Sequence, residues 1–283
     1  HLDYHKTMQA YGEAKQQFFS GLPAEAFALS NLDDSRGGFM LEKASCHKYF
    51  YSCLGMADFR AKFKEESIEG MEVEIDGVDV VLRLLGGYNS YNMLAVYGAL
   101  RLLGFEKEEV LRVLSGLGPV EGRFDYQVGP RGEVVVVDYA HTPDALSNVI
   151  ATIYEIKKNS TTRLIVVFGC GGDRDRGKRP EMGRIAAKES EWVVLTSDNP
   201  RSEDPQSIIS DIVAGIPQQD RWKELEEPDR RKAITVAMML ARGGDWVLVA
   251  GKGHETYQIL KDGTIHFDDR EVARDAVREL KER

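Results

Sequence analysis

Four short apolar runs in the second half of the chain each end in a loop rich in glycine and charged residues. The runs are Val134–Val137, Leu164–Phe168, Trp192–Leu195 and Trp246–Ala250. Short runs of this kind, rich in Val and separated by helical stretches, predict buried parallel β-strands. Because ligands of an open parallel sheet bind beyond the carboxyl ends of its strands, we expect a site in the loops that follow these runs.

The pattern beyond residue 122 alternates between strands and helices. We predict strands at 133–138, 163–168, 192–196 and 246–250, and helices at 143–157, 181–190, 205–214, 229–241 and 269–282. Thr142 is suited to cap the first of these helices, and Pro143 to occupy its first position. This order predicts an α/β fold with a doubly wound, Rossmann-like C-terminal domain.

Weaker patterns precede this domain. We predict helices at 6–20, 89–103 and 106–117, a strand at 27–29, and a hairpin of residues 72–81 that turns at Asp76-Gly77, while residues 35–62 give weak signals. Three glycines and a proline crowd the segment 116–122. We therefore predict a boundary there, between a region of residues 1–118 and a domain of residues 119–283.

Composition and charge exclude several classes of function. The 283 residues carry a formal net charge of −9, which argues against a general nucleic-acid or membrane-surface binder. Three cysteines without a C-x-x-C spacing predict neither a disulfide framework nor a zinc cluster, and favour a reducing, cytoplasmic setting. Since no apolar run reaches membrane-spanning length and no signal-peptide pattern opens the chain, we expect no membrane partner.

The loop after Phe168 concentrates positive charge. Its residues Gly172 to Lys178 have the spacing of a phosphate-binding P-loop, but Arg179 stands where that motif needs Ser or Thr. We therefore expect no P-loop binding of a nucleoside triphosphate here. The glycines, the cations and the helix that follows still suit an anion, although from the charge alone a solvated basic loop is the better explanation.

Two further polar clusters are ambiguous from the residues alone. Asp198-Asn199-Pro200-Arg201 places a forked guanidinium beside an amide on a proline-fixed turn, which suits bidentate recognition of a carboxylate. Asn-Pro is also a common turn starter. The histidines of His1-x-Asp3-x-His5 could hold a metal, but three polar residues before a helix are usually exposed and bind nothing. Lys15 lies in the middle of a predicted helix, where a solvated lysine is the ordinary explanation.

Taken together, the motifs resemble those of the Mur ligases, the ATP-dependent enzymes that build the peptide stem of peptidoglycan. Within that family the chain is most similar to the tripeptide synthetases, which add the third residue. The matching stretches, which follow the family order, are His1–His5, Tyr11–Lys15, Gly87–Asn92, Glu121–Arg123, Asp138–Asp144, Gly169–Pro180, Asp198–Arg201 and Gly251–Glu255.

The resemblance implies a fold and a division of the chain. Residues 1–118 resemble the latter part of the family's central α/β ATP-binding domain, and residues 119–283 its C-terminal domain. The family's UDP-sugar domain and P-loop have no counterpart here, so we expect this chain to be a fragment without ligase activity by itself.

The resemblance also implies roles for individual residues. Lys15 matches a carbamylated lysine that holds Mg²⁺, and His1 matches a histidine that helps to hold it; both are expected to be catalytic. Asn92, Arg123 and Asp138 match positions near ATP. The positions that match the pocket of the incoming amino acid are Arg174, Asp198, Asn199, Pro200, Arg201, Gly251 and Glu255.

The implied reaction is an amide ligation in the bacterial cytoplasm, in peptidoglycan synthesis and hence in cell-wall biogenesis, cell shape and division. ATP phosphorylates the D-Glu side-chain carboxylate of UDP-MurNAc-L-Ala-D-Glu, and the amine of meso-diaminopimelate attacks the acyl phosphate. Asp198 to Arg201 resembles the family signature for that diamino acid. A lysine-adding Mur ligase, a folylpolyglutamate synthetase-like ligase and a fragment that only binds remain alternatives.

Overall fold

The computed structural model describes residues 7–67, 69–118, 120–157 and 161–281. The chain divides into two compact units, residues 1–118 and 119–283. Each unit pairs a β-sheet with α-helices, which confirms the predicted α/β class.

The first unit contains a five-stranded mixed sheet. Its helices are α1 (Met8–Ser20), α2 (Gly37–Leu41), α3 (Gly87–Leu102) and α4 (Lys107–Gly116), and its strands are β1 (Phe27–Asn31), β2 (His47–Ser52), β3 (Phe59–Ser67), β4 (Gly70–Ile75) and β5 (Val78–Leu82). The strands follow in chain order, with β1, β2 and β3 parallel and β3, β4 and β5 antiparallel. The predicted hairpin is confirmed, and Asp76 and Gly77 both take positive φ at its turn, as a two-residue hairpin loop requires.

The second unit contains a six-stranded sheet in the order β10-β9-β8-β11-β7-β6. Its strands are β6 (Asp125–Val128), β7 (Val134–Asp138), β8 (Leu164–Phe168), β9 (Trp192–Leu195), β10 (Glu224–Glu226) and β11 (Trp246–Ala250), beside a separate hairpin of β12 (Tyr257–Leu260) and β13 (Gly263–His266). Its helices are α5 (Pro143–Ile156), α6 (Lys178–Glu189), α7 (Pro205–Val213), α8 (Arg230–Leu240) and α9 (Asp269–Lys281), with a 3₁₀ helix at Gln218–Lys223.

Strand alternation explains how this sheet fills its core on two faces. Val135, Val167 and Val249 pack in one cluster with the apolar sides of α8 and α9. Val136 and Val166 are also fully buried and point to the opposite face, because successive side chains of a strand alternate. Because the sheet is packed on both faces, the ends of its strands have well-defined positions, and these positions constrain the loops that follow them.

The structure differs from the sequence expectations in several elements. The strand β6 runs antiparallel to β7, so the sheet is not wholly parallel, and helix α6 starts at Lys178 rather than at residue 181. The elements that the pattern did not predict in the second unit are β6, β10, the hairpin β12–β13 and the 3₁₀ helix. In the segment 35–62, where the pattern was weak, the structure places α2, β2 and the start of β3.

Two further expectations can be compared with the structure. Cys46, Cys53 and Cys170 are all free cysteines, and Cys46 and Cys170 are buried. Among the described residues, no helix combines the length and the apolar character needed to cross a membrane.

Candidate functional site

Polar loops from three strands of the second unit meet at the carboxyl edge of its sheet, as predicted. They follow β8, β9 and β11. The amide of Gly172, after β8, donates to the carbonyl of Asn199, after β9, at 2.9 Å. The Asn199 side chain in turn donates to Oε2 of Glu255, after β11, at 3.0 Å. The three loops therefore form one continuous polar surface.

Asn199 is the fixed centre of this surface. Its side chain is buried, and its Oδ1 accepts hydrogen bonds from the Ile259 amide at 2.8 Å and from Lys252 Nζ at 3.2 Å. Its Nδ2 donates to Glu255. Because both ends of the amide are engaged, its orientation is set before any ligand arrives.

Arg201 is held so that one edge of its guanidinium stays available. Its φ of 52° is unusual for a residue with a side chain, and its amide donates to the Ile259 carbonyl at 3.1 Å. Nη1 donates to the carbonyls of Gly172 and Asn199 at 2.9 and 3.3 Å. Within the described part of the chain, Nε and Nη2 have no hydrogen bond, which leaves them suited to a carboxylate.

Arg174 lies beside Arg201 on the outer side of the same surface. A Cβ at Gly171 would lie 2.9 Å from Arg201 Nη1 and 3.6 Å from Arg174 Cγ, so the two arginines flank this glycine. Arg174 is exposed and donates only to the carbonyl of Asp173, at 3.2 Å, among the residues described. It is free to turn toward an anion near Arg201.

Glu255 carries the negative charge of the surface. It is half-buried, and its Oε2 accepts from Lys252 Nζ at 2.9 Å as well as from Asn199. Burial alone would raise its pKa, but the hydrogen bonds from Lys252 and Asn199 hold the pKa of Glu255 below its ordinary value. Glu255 is therefore a carboxylate at neutral pH and can receive a cation.

The remaining predicted residues of this set lie behind the surface. Asp198 and Pro200 are buried, and burial raises the pKa of Asp198. Gly251 has a φ of 120°, and a Cβ there would lie 3.2 Å from Asp198 Oδ2. These positions shape the surface from behind, and the side chains of Asp198 and Pro200 are turned away from solvent.

Two buried arginines, which the sequence reading did not single out as site residues, fix these loops. Arg230 is fully buried and pairs with Asp269 through two hydrogen bonds of 2.7 and 2.8 Å, while it also donates to the carbonyls of Ser197 and Ala250. It thus ties the ends of β9 and β11 together. The only signal in the sequence was an arginine at the start of an otherwise amphipathic helix.

Arg179 anchors the loop that has the spacing of a P-loop. Its side chain is fully buried and pairs with Glu203 at 2.8 Å and with Asp211 at 2.9 Å. It also donates to the Gly171 carbonyl at 3.2 Å. The arginine in the Ser/Thr position of the motif therefore links the loop after β8 to Glu203 and Asp211.

The residues predicted near ATP are divided between the two units. Asn92 is exposed on α3 and donates to Asn89 Oδ1 at 2.9 Å. In the second unit, the exposed Arg123 stacks its guanidinium 4.5 Å from the centre of the Tyr139 ring. Asp138 is buried and accepts from the amides of Phe124 and Ala140 at 2.8 Å each.

Of the two residues predicted to hold magnesium, Lys15 lies within the described residues and His1 does not. Lys15 is exposed on α1, with Nζ 4.5 Å from the centre of the Tyr11 ring. His1, and with it Asp3 and His5, lies outside the described residues. No group of three or more His, Cys, Asp or Glu side chains suited to a metal ion occurs in the described part of the chain.

Comparison with known families matches both units. The model of the Mur ligase middle domain matches residues 1–100, and that of the Mur ligase glutamate ligase domain matches residues 122–253. Among curated proteins, the UDP-N-acetylmuramoyl-L-alanyl-D-glutamate–2,6-diaminopimelate ligase of Phocaeicola vulgatus is 50% identical over 275 residues, covering 97% of this chain and 57% of its own length. The protein of the same name from Cytophaga hutchinsonii is 49% identical and is covered over 56% of its length.

Solved structures agree with these matches. A structure of a UDP-N-acetylmuramoyl-L-alanyl-D-glutamate–2,6-diaminopimelate ligase superposes with a TM-score of 0.61 at 36% identity, covering 99% of this chain and 58% of the other. A MurF ligase from Thermotoga maritima in complex with ADP gives a TM-score of 0.68 at 18% identity, covering 99% of this chain and 58% of the other, and so supports the fold alone. The chain thus spans little more than half the length of these relatives.

Proposed function

The chain belongs to the Mur ligase family, and from this premise we propose that it serves the ATP-dependent ligation of meso-diaminopimelate to UDP-MurNAc-L-Ala-D-Glu. The relatives that are about half identical carry that activity in their names. The observation that supports this substrate is that Arg201, Asn199 and Glu255 lie together at the carboxyl edge of the second sheet.

The proposed fit follows from the two charges at the far end of the diamino acid. meso-Diaminopimelate carries a carboxylate and an ammonium there, whereas lysine carries only the ammonium. The free edge of Arg201 suits the carboxylate, with Asn199 beside it and Arg174 in reach, and Glu255 suits the ammonium. Lysine would leave the Nε and Nη2 donors of Arg201 without a carboxylate partner, which is costly once a bound ligand excludes water from them.

The chemistry then takes place at the other end of the amino acid. The γ-phosphoryl group of ATP passes to the D-Glu side-chain carboxylate, which yields ADP and an acyl phosphate. The amine of the incoming residue attacks the carbonyl carbon, loses its proton, and displaces phosphate as the amide forms. In this proposal the surface around Arg201 holds the distal end of the amino acid, so that the reacting amine is presented from a fixed point.

Asn92, Arg123 and Asp138 are proposed to serve the nucleotide, and Lys15 and His1 the magnesium ion that accompanies it. The stacking of Arg123 on Tyr139 keeps a cation at the surface, where a phosphate or a ribose could meet it. Asp138 is already occupied by two backbone amides, so its proposed part is to hold the segment that carries Arg123. We further propose that the protein acts in the bacterial cytoplasm, for which its free thiols are suited.

Product analysis tests the proposal. The full-length ligase is incubated with ATP, UDP-MurNAc-L-Ala-D-Glu and either meso-diaminopimelate or L-lysine, and the product is identified by mass. We expect a tripeptide with diaminopimelate and stoichiometric ADP, and little product with lysine. Efficient product formation with lysine, or none with either amino acid, would contradict the proposal.

A further inference from the structure

Lys252 is a lysine whose side chain is fully excluded from solvent, in the loop after β11. Lysines are rarely fully buried unless they are paired. Its Nζ lies 2.9 Å from Glu255 Oε2, 3.2 Å from Asn199 Oδ1 and 3.8 Å from Asp198 Oδ1. All three neighbours belong to the loops that form the candidate site.

These neighbours come from two strands that are not adjacent in the sheet. Asp198 and Asn199 follow β9, Glu255 follows β11, and β8 lies between those strands. No backbone ladder can therefore join the ends of β9 and β11 directly. An ammonium group has three donors and no acceptor, so Lys252 can join both loops above the end of β8.

The charges around Lys252 show what its removal would do. Asp198 Oδ1 is buried without a hydrogen bond, and the Lys252 ammonium is the cation within 4 Å of both Asp198 and Glu255 among the described ion pairs. Without that ammonium, Asp198 would keep the charge of Arg230 nearby, but Glu255 would lose its closest donor. Its carboxylate would then be held by Asn199 alone, and its orientation would be less well defined.

We propose that Lys252 is a positioning residue, which holds the Glu255 carboxylate and the Asn199 amide in the orientation that receives the distal end of the incoming diamino acid. It acts through these two side chains and does not touch the amino acid. This inference rests on the proposed function, because it assigns Lys252 to the same site.

Substitution of Lys252 in the full-length ligase tests the inference. Lys252→Met keeps much of the length of the side chain and removes the charge. We expect the KM for meso-diaminopimelate to rise roughly ten- to hundred-fold, as for the loss of one or two charge-assisted hydrogen bonds. The kcat at saturating amino acid and the KM for ATP should stay within about threefold, because the reacting amine and the nucleotide are not contacted.

Lys223 provides a matched control. It is also a buried lysine of the second unit, and its Nζ donates to the Ser190 carbonyl at 3.0 Å. Ser190 precedes β9 and Lys223 precedes β10, so the pair lies at the amino edge of the sheet, opposite the candidate site. Lys223→Met should lower the melting temperature and leave the KM for diaminopimelate unchanged.

A double-mutant cycle with Glu255→Gln separates positioning from general support of the fold. If Lys252 acts through Glu255, the double variant should have a KM close to that of the worse single variant. Fold-changes that multiply, or an unchanged KM in Lys252→Met, would overturn the inference. If Lys252→Met does not fold, Lys252→Gln replaces it in the same double-mutant cycle, because Gln keeps a donor for Asn199 without the charge. A native enzyme without diaminopimelate turnover would instead overturn the proposed function.

Discussion

Single residues in this protein use buried charge to fix loops. Arg179, Arg230 and Lys252 are each fully excluded from solvent, and each donates to groups from at least two segments. A buried charge is tolerated only when it is paired and hydrogen-bonded. The cost of burying these side chains is therefore offset by contacts that also hold the candidate site in shape.

The pair of Arg179 with Glu203 leads to a prediction about stability and pH. The hydrogen bond from Arg179 holds the pKa of Glu203 at about 2, against an ordinary value of 4.5. A lowered folded-state pKa stabilises the fold above the unfolded value, and that contribution disappears as the pH falls toward the folded value. Glu203→Gln should therefore cost about 2 to 4 kcal/mol at pH 7, and the difference should shrink between pH 4.5 and pH 2.

Urea denaturation followed by tryptophan fluorescence measures this effect in the second unit alone, because Trp192, Trp222 and Trp246 all lie there. Glu181→Gln is the matched control, since Glu181 is exposed and its ion pair with Arg184 is long, at 3.9 Å. A pH-independent difference for Glu203→Gln would show that the ion pair is not its source.

Lys15 is the residue whose role depends most on the family resemblance. Its Nζ is exposed on α1, which leaves the amine accessible to carbon dioxide. We expect Lys15→Ala to remove nearly all activity of the full-length ligase, and short carboxylic acids to restore part of it by replacing the carbamate. As a control, Lys43→Ala removes another exposed lysine of the first unit, and its activity should equal that of the native ligase. Normal turnover of Lys15→Ala would make Lys15 an ordinary surface lysine.

At the scale of elements, the start of the second unit is packed tightly against the loop after β11. A Cβ at Gly122 would lie 2.1 Å from the His254 amide nitrogen and 2.2 Å from the Gly253 carbonyl carbon. Gly122 also has a positive φ of 65°. The loop that carries Lys252 and Glu255 is therefore held in place by a backbone contact that only glycine permits.

Gly122→Ala tests this contact. Because backbone atoms oppose the added methyl group, the loop must shift, and we expect a loss of about 1–3 kcal/mol in the free energy of unfolding. The KM for diaminopimelate should also rise, because the same shift displaces the loop that carries Lys252 and Glu255. Gly118→Ala is the control, since a Cβ there meets nothing within 4 Å. Equal behaviour of the two variants in denaturation and kinetics would refute the coupling.

The elements also show how far the sequence could predict this fold. The strands β7, β8, β9 and β11 were predicted because burial on both faces requires continuous apolar runs. Strand β10 has three residues and two glutamates, and every residue of β13 is exposed, so neither has a pattern of its own. They form because β9 offers an open edge and β12 a partner, which are facts of tertiary structure.

At the scale of the whole chain, the candidate site combines short segments that are far apart in sequence. The rule that ligands bind at the carboxyl edge of a parallel sheet predicted that the loops after its strands share a site, and the family resemblance picked out Arg174, Asn199 and Glu255 within those loops. It could not predict that Asp198 faces inward or that Lys252 is buried between two loops, because those depend on side-chain packing. The net charge of −9 likewise conceals a local surface on which the arginines Arg174 and Arg201 flank Gly171.

The central claim is that this surface selects meso-diaminopimelate through the free edge of Arg201. The most direct test is the ratio of kcat/KM for diaminopimelate to that for lysine, measured in the full-length native ligase and in Arg201→Ala. Each charge-assisted hydrogen bond contributes roughly 1.5–3 kcal/mol, and about 1.4 kcal/mol corresponds to a factor of ten. We expect a large native ratio that falls by about two powers of ten in Arg201→Ala, mainly because diaminopimelate is used less well. Equal use of both amino acids by the native enzyme, or an unchanged ratio in Arg201→Ala, would contradict the account.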